Sequence, residues 1–182
     1  LLVTVGFAFV QSPDTHVNRE PVPVAHLLAN PHVAMCGVVV LLASATITMF
    51  EPVFVLFLNG RLGFGPARIG TLFAAAALAN TVFHPLAGRA ADRFGARKLT
   101  AAGLLAIAGV LPLVSFAHSF PSAMALGVLQ SLTFALVATP SLTLMSDVTT
   151  AAGLGSFGTA YGFYNAIWAI GLLCGPSAGA FV

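Results

Sequence analysis

The sequence predicts an all-α bundle of transmembrane helices, and three observations support this fold class. Of the 182 residues, 58% are hydrophobic and only 7% are charged, whereas about 25% of residues are charged in an ordinary soluble domain. Several stretches of roughly 20 residues or more carry at most one charge, which is enough for a helix to cross a ~30 Å hydrocarbon core. These stretches show no alternation of polar and apolar residues, so transmembrane strands are not indicated. We therefore expect a multi-pass integral membrane protein whose solvent is the lipid bilayer.

The first 31 residues divide into two parts. Residues 1–10 are apolar and are typical of the end of a transmembrane helix. Because the sequence starts with Leu, without a basic signal-peptide region, we expect it to be a fragment. Residues 11–31 contain four prolines together with charged and amide side chains, which predicts a largely non-helical linker.

Residues 32–182 are expected to form five helices. The first two are predicted at about 32–58, with Glu51 as its one charged residue, and at about 67–89. The 48 residues of 99–146 carry no charge, and a single helix of that length would measure about 72 Å, so the chain must reverse once. The expected corner is His118 to Pro121, since proline is tolerated at a helix start. This gives helices at about 98–118 and 120–146, and a last one follows at about 154–182.

The distribution of basic residues predicts the orientation. If the helices alternate in direction, five Arg and Lys residues of the linker and of segment 89–98 lie on one side, and only Arg61 and Arg68 lie on the other. The positive-inside rule then places the linker and segment 89–98 in the cytoplasm.

Several functions are not indicated. The net charge of +2 is too small and too dispersed for a nucleic-acid partner. No His, Cys, Asp or Glu cluster has metal-ligand spacing, and no nucleophile, base and orienting group occur together, so we expect no metal, no cofactor and no enzyme. Cys36 and Cys174 lie in apolar runs and are expected to be buried thiols rather than a disulfide.

Segment 88–98, GRAADRFGARK, combines one acid with four bases between two predicted helices. Its pattern, G-x-x-x-D-R-x-G-x-R-K, resembles the loop signature that the major facilitator superfamily carries between the second and third helices of each half. The matching positions are Gly88, Asp92, Arg93, Gly95, Arg97 and Lys98.

A second segment, 171–180, GLLCGPSAGA, resembles the G-x-x-x-G-P-x-x-G-[GA] signature of the drug/proton antiporter branch. Physically, Gly171, Gly175 and Gly179 recur every four residues, which allows a neighbouring helix to approach closely, and Pro176 bends the helix. The chain thus resembles a partial C-terminal half of a facilitator, with the end of helix 6 at 1–10, the central cytoplasmic linker at 11–31 and helices 7 to 11 at 32–182, and is most similar to the vesicular amine and multidrug efflux transporters.

This resemblance implies further expectations. Facilitators hold substrate between two halves, so an N-terminal half of the same carrier would be the missing partner. The acid and bases of segment 88–98 would form a charge lock that opens and closes with the access cycle, although a simple topology anchor is the alternative. We also expect a location in the plasma membrane.

Glu51 is the only acid inside a predicted span. A charged carboxylate at the bilayer centre costs on the order of 3 kcal/mol, so Glu51 should face a wet cavity, bind a proton, or do both. Pro52, directly after it, removes a backbone donor and loosens the helix there. A position near the outer interface is the alternative explanation for Glu51.

Other polar side chains also lie at membrane depth. On the last helix, Tyr161, Asn165 and Trp168 share one face at spacings i, i+4 and i+7, which would suit a cationic or aromatic ligand, although simple packing is the alternative. Asn80 and Gln130 are weaker candidates for the same site. The alternative is that they form satisfied hydrogen bonds between helices.

These observations lead to one main hypothesis for function. We expect a fragment of a secondary active transporter that exports small amphiphilic or cationic molecules by proton-coupled alternating access. The alternatives are a metabolite uniporter or symporter of the same fold, in which Glu51 only binds substrate, and a membrane receptor or scaffold that transports nothing.

Overall fold

The computed structural model describes residues 23–153 and 157–179, and these residues are almost entirely helical. The helices are α1 (Val24–Ala29), α2 (Pro31–Gly60), α3 (Pro66–Phe94), α4 (Ala96–Leu113), α5 (Phe120–Ala151) and α6 (Phe157–Gly179). No strand occurs in these two ranges. The predicted all-α fold class is therefore confirmed.

Four of the described helices are long and apolar enough to cross a membrane. They are Pro31–Gly60, Pro66–Phe94, Phe120–Ala151, and α4 together with the 3-10 turn that continues it to Phe116. The fifth long helix, α6, has 23 residues and no charge. Large apolar side chains point away from the bundle, as with Leu105, which is 75% exposed. Such a surface suits lipid rather than water.

Part of the predicted linker is helical, so the expectation of a largely non-helical segment is wrong over Val24–Ala29. Its prolines do not prevent this, because Pro23 precedes the first helical residue and Pro31 begins the next helix. Asn30 separates α1 from α2, and its Oδ1 accepts hydrogen bonds from the backbone N–H of His32 (3.0 Å) and Val33 (3.3 Å). The predicted end of a span at 1–10, and the linker up to residue 22, lie outside the described residues.

The turn between α3 and α4 is shorter than predicted. Segment 89–98 was expected to be a loop, but α3 continues to Phe94 and α4 begins at Ala96. Gly95 alone reverses the chain, with a φ of 91° that L side chains rarely adopt. The charged residues of this segment consequently project from two helix ends.

The expected corner at residues 118–121 coincides with the start of α5. The Ser119 hydroxyl accepts a hydrogen bond from the backbone N–H of Ser122 (3.4 Å), and the Ser122 hydroxyl in turn accepts one from the N–H of Ser119 (3.0 Å). This reciprocal cap, followed by Pro121, fixes where α5 begins.

Helix α5 is central to the bundle. It packs extensively against α3 and α4 and also contacts α2 and α6, while α2 makes its largest contact with α6. One apolar cluster joins α2, α3 and α5 around Phe54, Leu72 and Ala123, and another joins α1, α2, α5 and α6 around Val33 and Met145. Beside the first cluster, α2, α3 and α5 border a cavity.

Candidate functional site

A cavity of about 190 Å³ lies between α2, α3 and α5. It contains three of the predicted site residues: Glu51 from α2, Asn80 from α3 and Gln130 from α5. The remaining lining residues are Ile47, Phe50, Phe54, Leu72, Phe73, Ala76, Ala77, Gly127, Ser131 and Phe134. The central cavity is therefore mostly apolar and aromatic, with one carboxyl group and two amides.

Glu51 lies within the membrane-spanning part of α2. It is the twenty-first of 30 residues in the helix, which places it about 8 Å from the midpoint of a helix about 45 Å long. In a helix centred in the bilayer, this position is inside a hydrocarbon core about 30 Å thick. The side chain is exposed on the cavity side, so solvent or a solute can reach it.

Three atoms of the two amides are buried without partners. Gln130 is only 1% exposed, and neither its Oε1 nor its Nε2 forms a hydrogen bond in the described structure. The Oδ1 of Asn80 is buried and unpaired as well. Leaving a buried polar group unsatisfied costs about 1–3 kcal/mol, so these atoms favour any solute or water that can pair with them.

Aromatic rings form much of the remaining wall, and sequence reasoning did not identify them as part of a site. Phe50 and Phe54 stack with their centroids 4.9 Å apart, and Phe73 meets Phe54 edge-on at 6.3 Å. The signal that could have found them is the i, i+4 spacing of Phe50 and Phe54 next to Glu51, which puts rings and carboxyl group on neighbouring parts of one helix.

Gly127 and two hydrogen bonds position α5 against the other walls. A Cβ at Gly127 would lie 2.9 Å from Leu72 Cδ2 and 3.3 Å from Phe54 Cε1, so a side chain here would crowd the cavity. The Ser131 hydroxyl donates to Ala76 O of α3 at 3.2 Å and to Val128 O at 2.8 Å. Further along α3, His84 Nδ1 is 2.6 Å from Thr139 Oγ1 of α5. These contacts hold α3 and α5 together beside the amides.

The predicted residues of α6 do not line this cavity. Asn165 is exposed and Tyr161 is 37% exposed. Trp168 is half-buried and stacks on Tyr164 at 6.0 Å, and the Tyr164 hydroxyl lies 3.1 Å from Ser141 Oγ. The predicted face of α6 is therefore a separate surface within the described structure.

The glycines of α6 pack against α2. A Cβ at Gly171 would overlap Ser44 Oγ, one at Gly175 would overlap Thr48 Oγ1, and one at Gly179 would lie 3.0 Å from Met49 Cγ. Thr48 Oγ1 donates to Gly171 O across this contact at 3.3 Å. We call this contact the α2–α6 seam. Pro176 is exposed inside α6, and Pro52 is exposed inside α2 next to the cavity.

The charged motif lies at the α3–α4 turn, away from the cavity lining. The side chains of Asp92, Arg93, Arg97 and Lys98 are exposed, and the Arg93 guanidinium lies 5.4 Å from the centroid of the Phe94 ring. No ion pair links these side chains to one another in the part of the chain that is described. Gly88, in the last turns of α3, faces Thr139, since a Cβ there would lie 3.8 Å from Thr139 Cγ2.

The two cysteines are free, but only one environment matches the expectation. Cys36 is buried in α2, whereas Cys174 is exposed on α6, because it faces away from the α2–α6 seam. In residues 23–153 and 157–179, no group of three or more His, Cys, Asp or Glu side chains could hold a metal ion.

Comparison with known proteins identifies the family. The family model described as Major Facilitator Superfamily matches residues 36–182, which is most of the chain. The chain belongs to the major facilitator superfamily. Members of this superfamily are transporters rather than enzymes, so this protein is an integral membrane protein of a transporter family.

A curated relative agrees with this assignment. An uncharacterized MFS-type transporter of Schizosaccharomyces pombe is 34% identical to the chain over 140 residues, or 74% of the chain. The same alignment covers 30% of the yeast protein. The chain thus spans about a third of the length of this relative.

Proposed function

We propose that this chain is the C-terminal part of a secondary active transporter that exports small amphiphilic or cationic molecules by proton-coupled alternating access. The observation that carries the proposal is a single carboxyl group, Glu51, in the wall of an aromatic cavity at membrane depth. A facilitator places its substrate near the midplane, between helices that rearrange, and α2, α3 and α5 supply such a position.

The chemistry of the cavity favours a cation with an apolar body. No Arg, Lys or His lines it, so Glu51 has no cationic partner among the lining residues. The rings of Phe50, Phe54 and Phe73 add faces that attract a cation and edges that pack against apolar groups. A membrane-embedded carboxyl group is costly while charged and unpaired. Binding either a proton or a cationic substrate removes this cost, so the two ligands compete, and this competition can couple their fluxes.

Other parts of the chain have roles in the same proposal. The small cavity, about 190 Å³ against ~300–1,000 Å³ for a typical small-molecule site, suits one wall of a site that an N-terminal half of the carrier completes. Tyr161, Asn165 and Trp168 form a second wall that approaches the substrate in another state of the access cycle. The charges of segment 88–98 form a lock at the cytoplasmic side, and the carrier resides in the plasma membrane.

Two alternatives make different predictions. A uniporter or symporter for a metabolite would use Glu51 for binding only. Its flux would be insensitive to a proton gradient. A receptor or scaffold would move no solute, and the unpaired polar groups in the cavity count against it.

The deciding experiment measures proton-driven flux. The full-length protein that contains this chain is reconstituted in liposomes, and efflux of a fluorescent aromatic cation is followed after imposing a pH gradient. We expect Glu51→Gln to abolish gradient-driven flux, because the amide cannot exchange a proton, while insertion and yield stay unchanged.

The control is Asp147→Asn, which neutralises an exposed acid on α5 outside the cavity. It should retain the flux. Full gradient-driven efflux in Glu51→Gln would contradict the proposed role of Glu51 and favour the uniporter or symporter.

A further inference from the structure

The proposed function explains the carboxyl group of the cavity but not its two amides. Gln130 is 1% exposed and is unpaired at both ends of its amide, so exchanging its oxygen and nitrogen would not satisfy it. In native proteins the large majority of buried polar side-chain atoms have a hydrogen-bond partner. One amide that is unpaired at both ends and a second unpaired amide oxygen in the same cavity therefore point to a ligand that supplies their partners.

The unpaired atoms define what that ligand must carry. Glu51 offers carboxylate oxygens, while Asn80 Oδ1 and Gln130 Oε1 are two further acceptors. The one buried donor without a partner is Gln130 Nε2, since Asn80 Nδ2 is not among the buried unpaired atoms, and the carboxylate of Glu51 adds acceptors but no donor. The polar lining is thus rich in acceptors, and its complement is a cation that brings several N–H donors.

We infer that Gln130, assisted by Asn80, is a specificity-determining residue that selects cations with N–H donors, such as guanidinium, amidinium and primary ammonium groups, over quaternary ammonium. This inference rests on the proposed function and names the substrate class of the same cavity. A quaternary cation of equal charge would still satisfy Glu51 and the aromatic rings. It would leave the acceptors of Gln130 and Asn80 desolvated and unpaired, and sites built for hydrogen bonding reject such analogues strongly.

The aromatic part of the wall adds a shape requirement. Phe50 and Phe54 stack nearly parallel, with 20° between their planes, and a flat ring system can extend this stack. A planar aromatic cation with N–H donors therefore satisfies both the polar and the apolar parts of the lining.

The test compares two probes without a pH gradient, so that it does not depend on proton coupling. The full-length protein that contains this chain is reconstituted in liposomes, and equilibrium counterflow is measured for (naphthylmethyl)guanidinium and for trimethyl(naphthylmethyl)ammonium. Both probes carry one permanent positive charge and the same ring system, but only the first has N–H donors.

We expect the wild-type protein to move the guanidinium probe at least about tenfold faster, which corresponds to one buried hydrogen bond or more. Gln130→Met keeps the length of the side chain and removes both amide atoms, so it should bring the ratio of the two rates close to one. Asn80→Leu should lower the ratio less, and it provides a second measurement if Gln130→Met reduces expression. Thr81→Val, which removes an exposed hydroxyl of α3 that lies outside the cavity lining and donates only to Ala77 O at 2.8 Å, should keep the wild-type ratio.

Each result has a distinct meaning. Equal rates for the two probes in the wild-type protein, or a ratio that Gln130→Met does not change, would overturn the inference and leave the proposed function standing. Transport of neither probe would overturn the proposed function and this inference with it. An unchanged ratio in Thr81→Val together with a lost ratio in Gln130→Met would support the inference.

Discussion

Helix α2 takes part in two contacts of opposite character. Towards α3 and α5 it borders the central cavity, where Gln130 and Asn80 leave polar atoms unpaired. Towards α6 it forms the α2–α6 seam, where the Ser44 and Thr48 hydroxyls both donate to backbone oxygens. The glycines of α6 pack so closely there that a Cβ would not fit. Polar groups within the membrane therefore serve two purposes. Satisfied ones fix the distance between helices, and unsatisfied ones mark the place where a solute can bind.

The largest effect should follow from filling the α2–α6 seam. A Cβ at Gly175 would overlap Thr48 Oγ1 and lie 2.6 Å from Ala45 O, a backbone atom that cannot rotate away. We expect Gly175→Ala to separate α2 from α6 and to lower the free energy of unfolding by about 1–3 kcal/mol. Thermal unfolding in detergent micelles measures this change.

Gly162→Ala is the matched control on the same helix. A Cβ at Gly162 meets nothing within 4 Å, so this substitution should leave stability unchanged or raise it by up to about 1 kcal/mol, because alanine favours a helix over glycine. Equal losses in both variants would show that α6 does not pack on α2 through this face.

Gln130→Met should change stability in the direction opposite to a seam variant. It replaces a buried amide without partners by an apolar side chain of similar shape, which is neutral or stabilising. We expect an increase in the free energy of unfolding of about 1 kcal/mol, measured in the same detergent assay. A loss of more than that amount would mean that the amide is already satisfied, and the comparison between cavity and seam would fail.

The smallest effect should come from removing one satisfied hydroxyl of the seam. Thr48→Val keeps the shape of the side chain but removes the hydrogen bonds to Ser44 O (2.9 Å) and Gly171 O (3.3 Å). We expect a loss of about 0.5–1 kcal/mol, as found for hydrogen bonds between membrane helices.

Thr46→Val is its control, because the Thr46 hydroxyl is exposed and donates only within α2, to Leu42 O at 2.7 Å. It should cost less than Thr48→Val. The reverse order would indicate that the seam is held by packing alone.

Much of the fold could be predicted because the relevant signals are local. Charge-free stretches and proline at a helix start each depend on a few neighbouring residues. The errors occurred where local signals compete. Prolines 23 and 31 suggested a linker, but they frame the short helix α1 instead. The charged residues of 89–98 suggested a loop, but one glycine was enough to reverse the chain.

The candidate site was predicted only in part. Glu51 was a candidate because it is the one acid in an apolar span, and Asn80 and Gln130 were candidates because they are amides at membrane depth. The spacing of these three residues along the chain gave no reason to place them in one cavity. The stripe on α6 had the clearer pattern, but it lies elsewhere in the described structure. The phenylalanines were not recognised, because phenylalanine occurs in four of the five long helices.

Composition alone determined that this chain is a set of membrane-embedded helices. In the hydrocarbon core no water is available to the backbone, so its hydrogen bonds must be satisfied within each helix. Which polar groups are satisfied was decided only by tertiary structure. Thr48 and Gln130 are both polar residues of apolar helices, but Thr48 bonds to the backbone of a neighbouring helix, whereas Gln130 is buried beside the cavity without a partner. Hydrogen bonding depends on distances of about 3 Å between atoms of different helices, and no local pattern of residues specifies such distances.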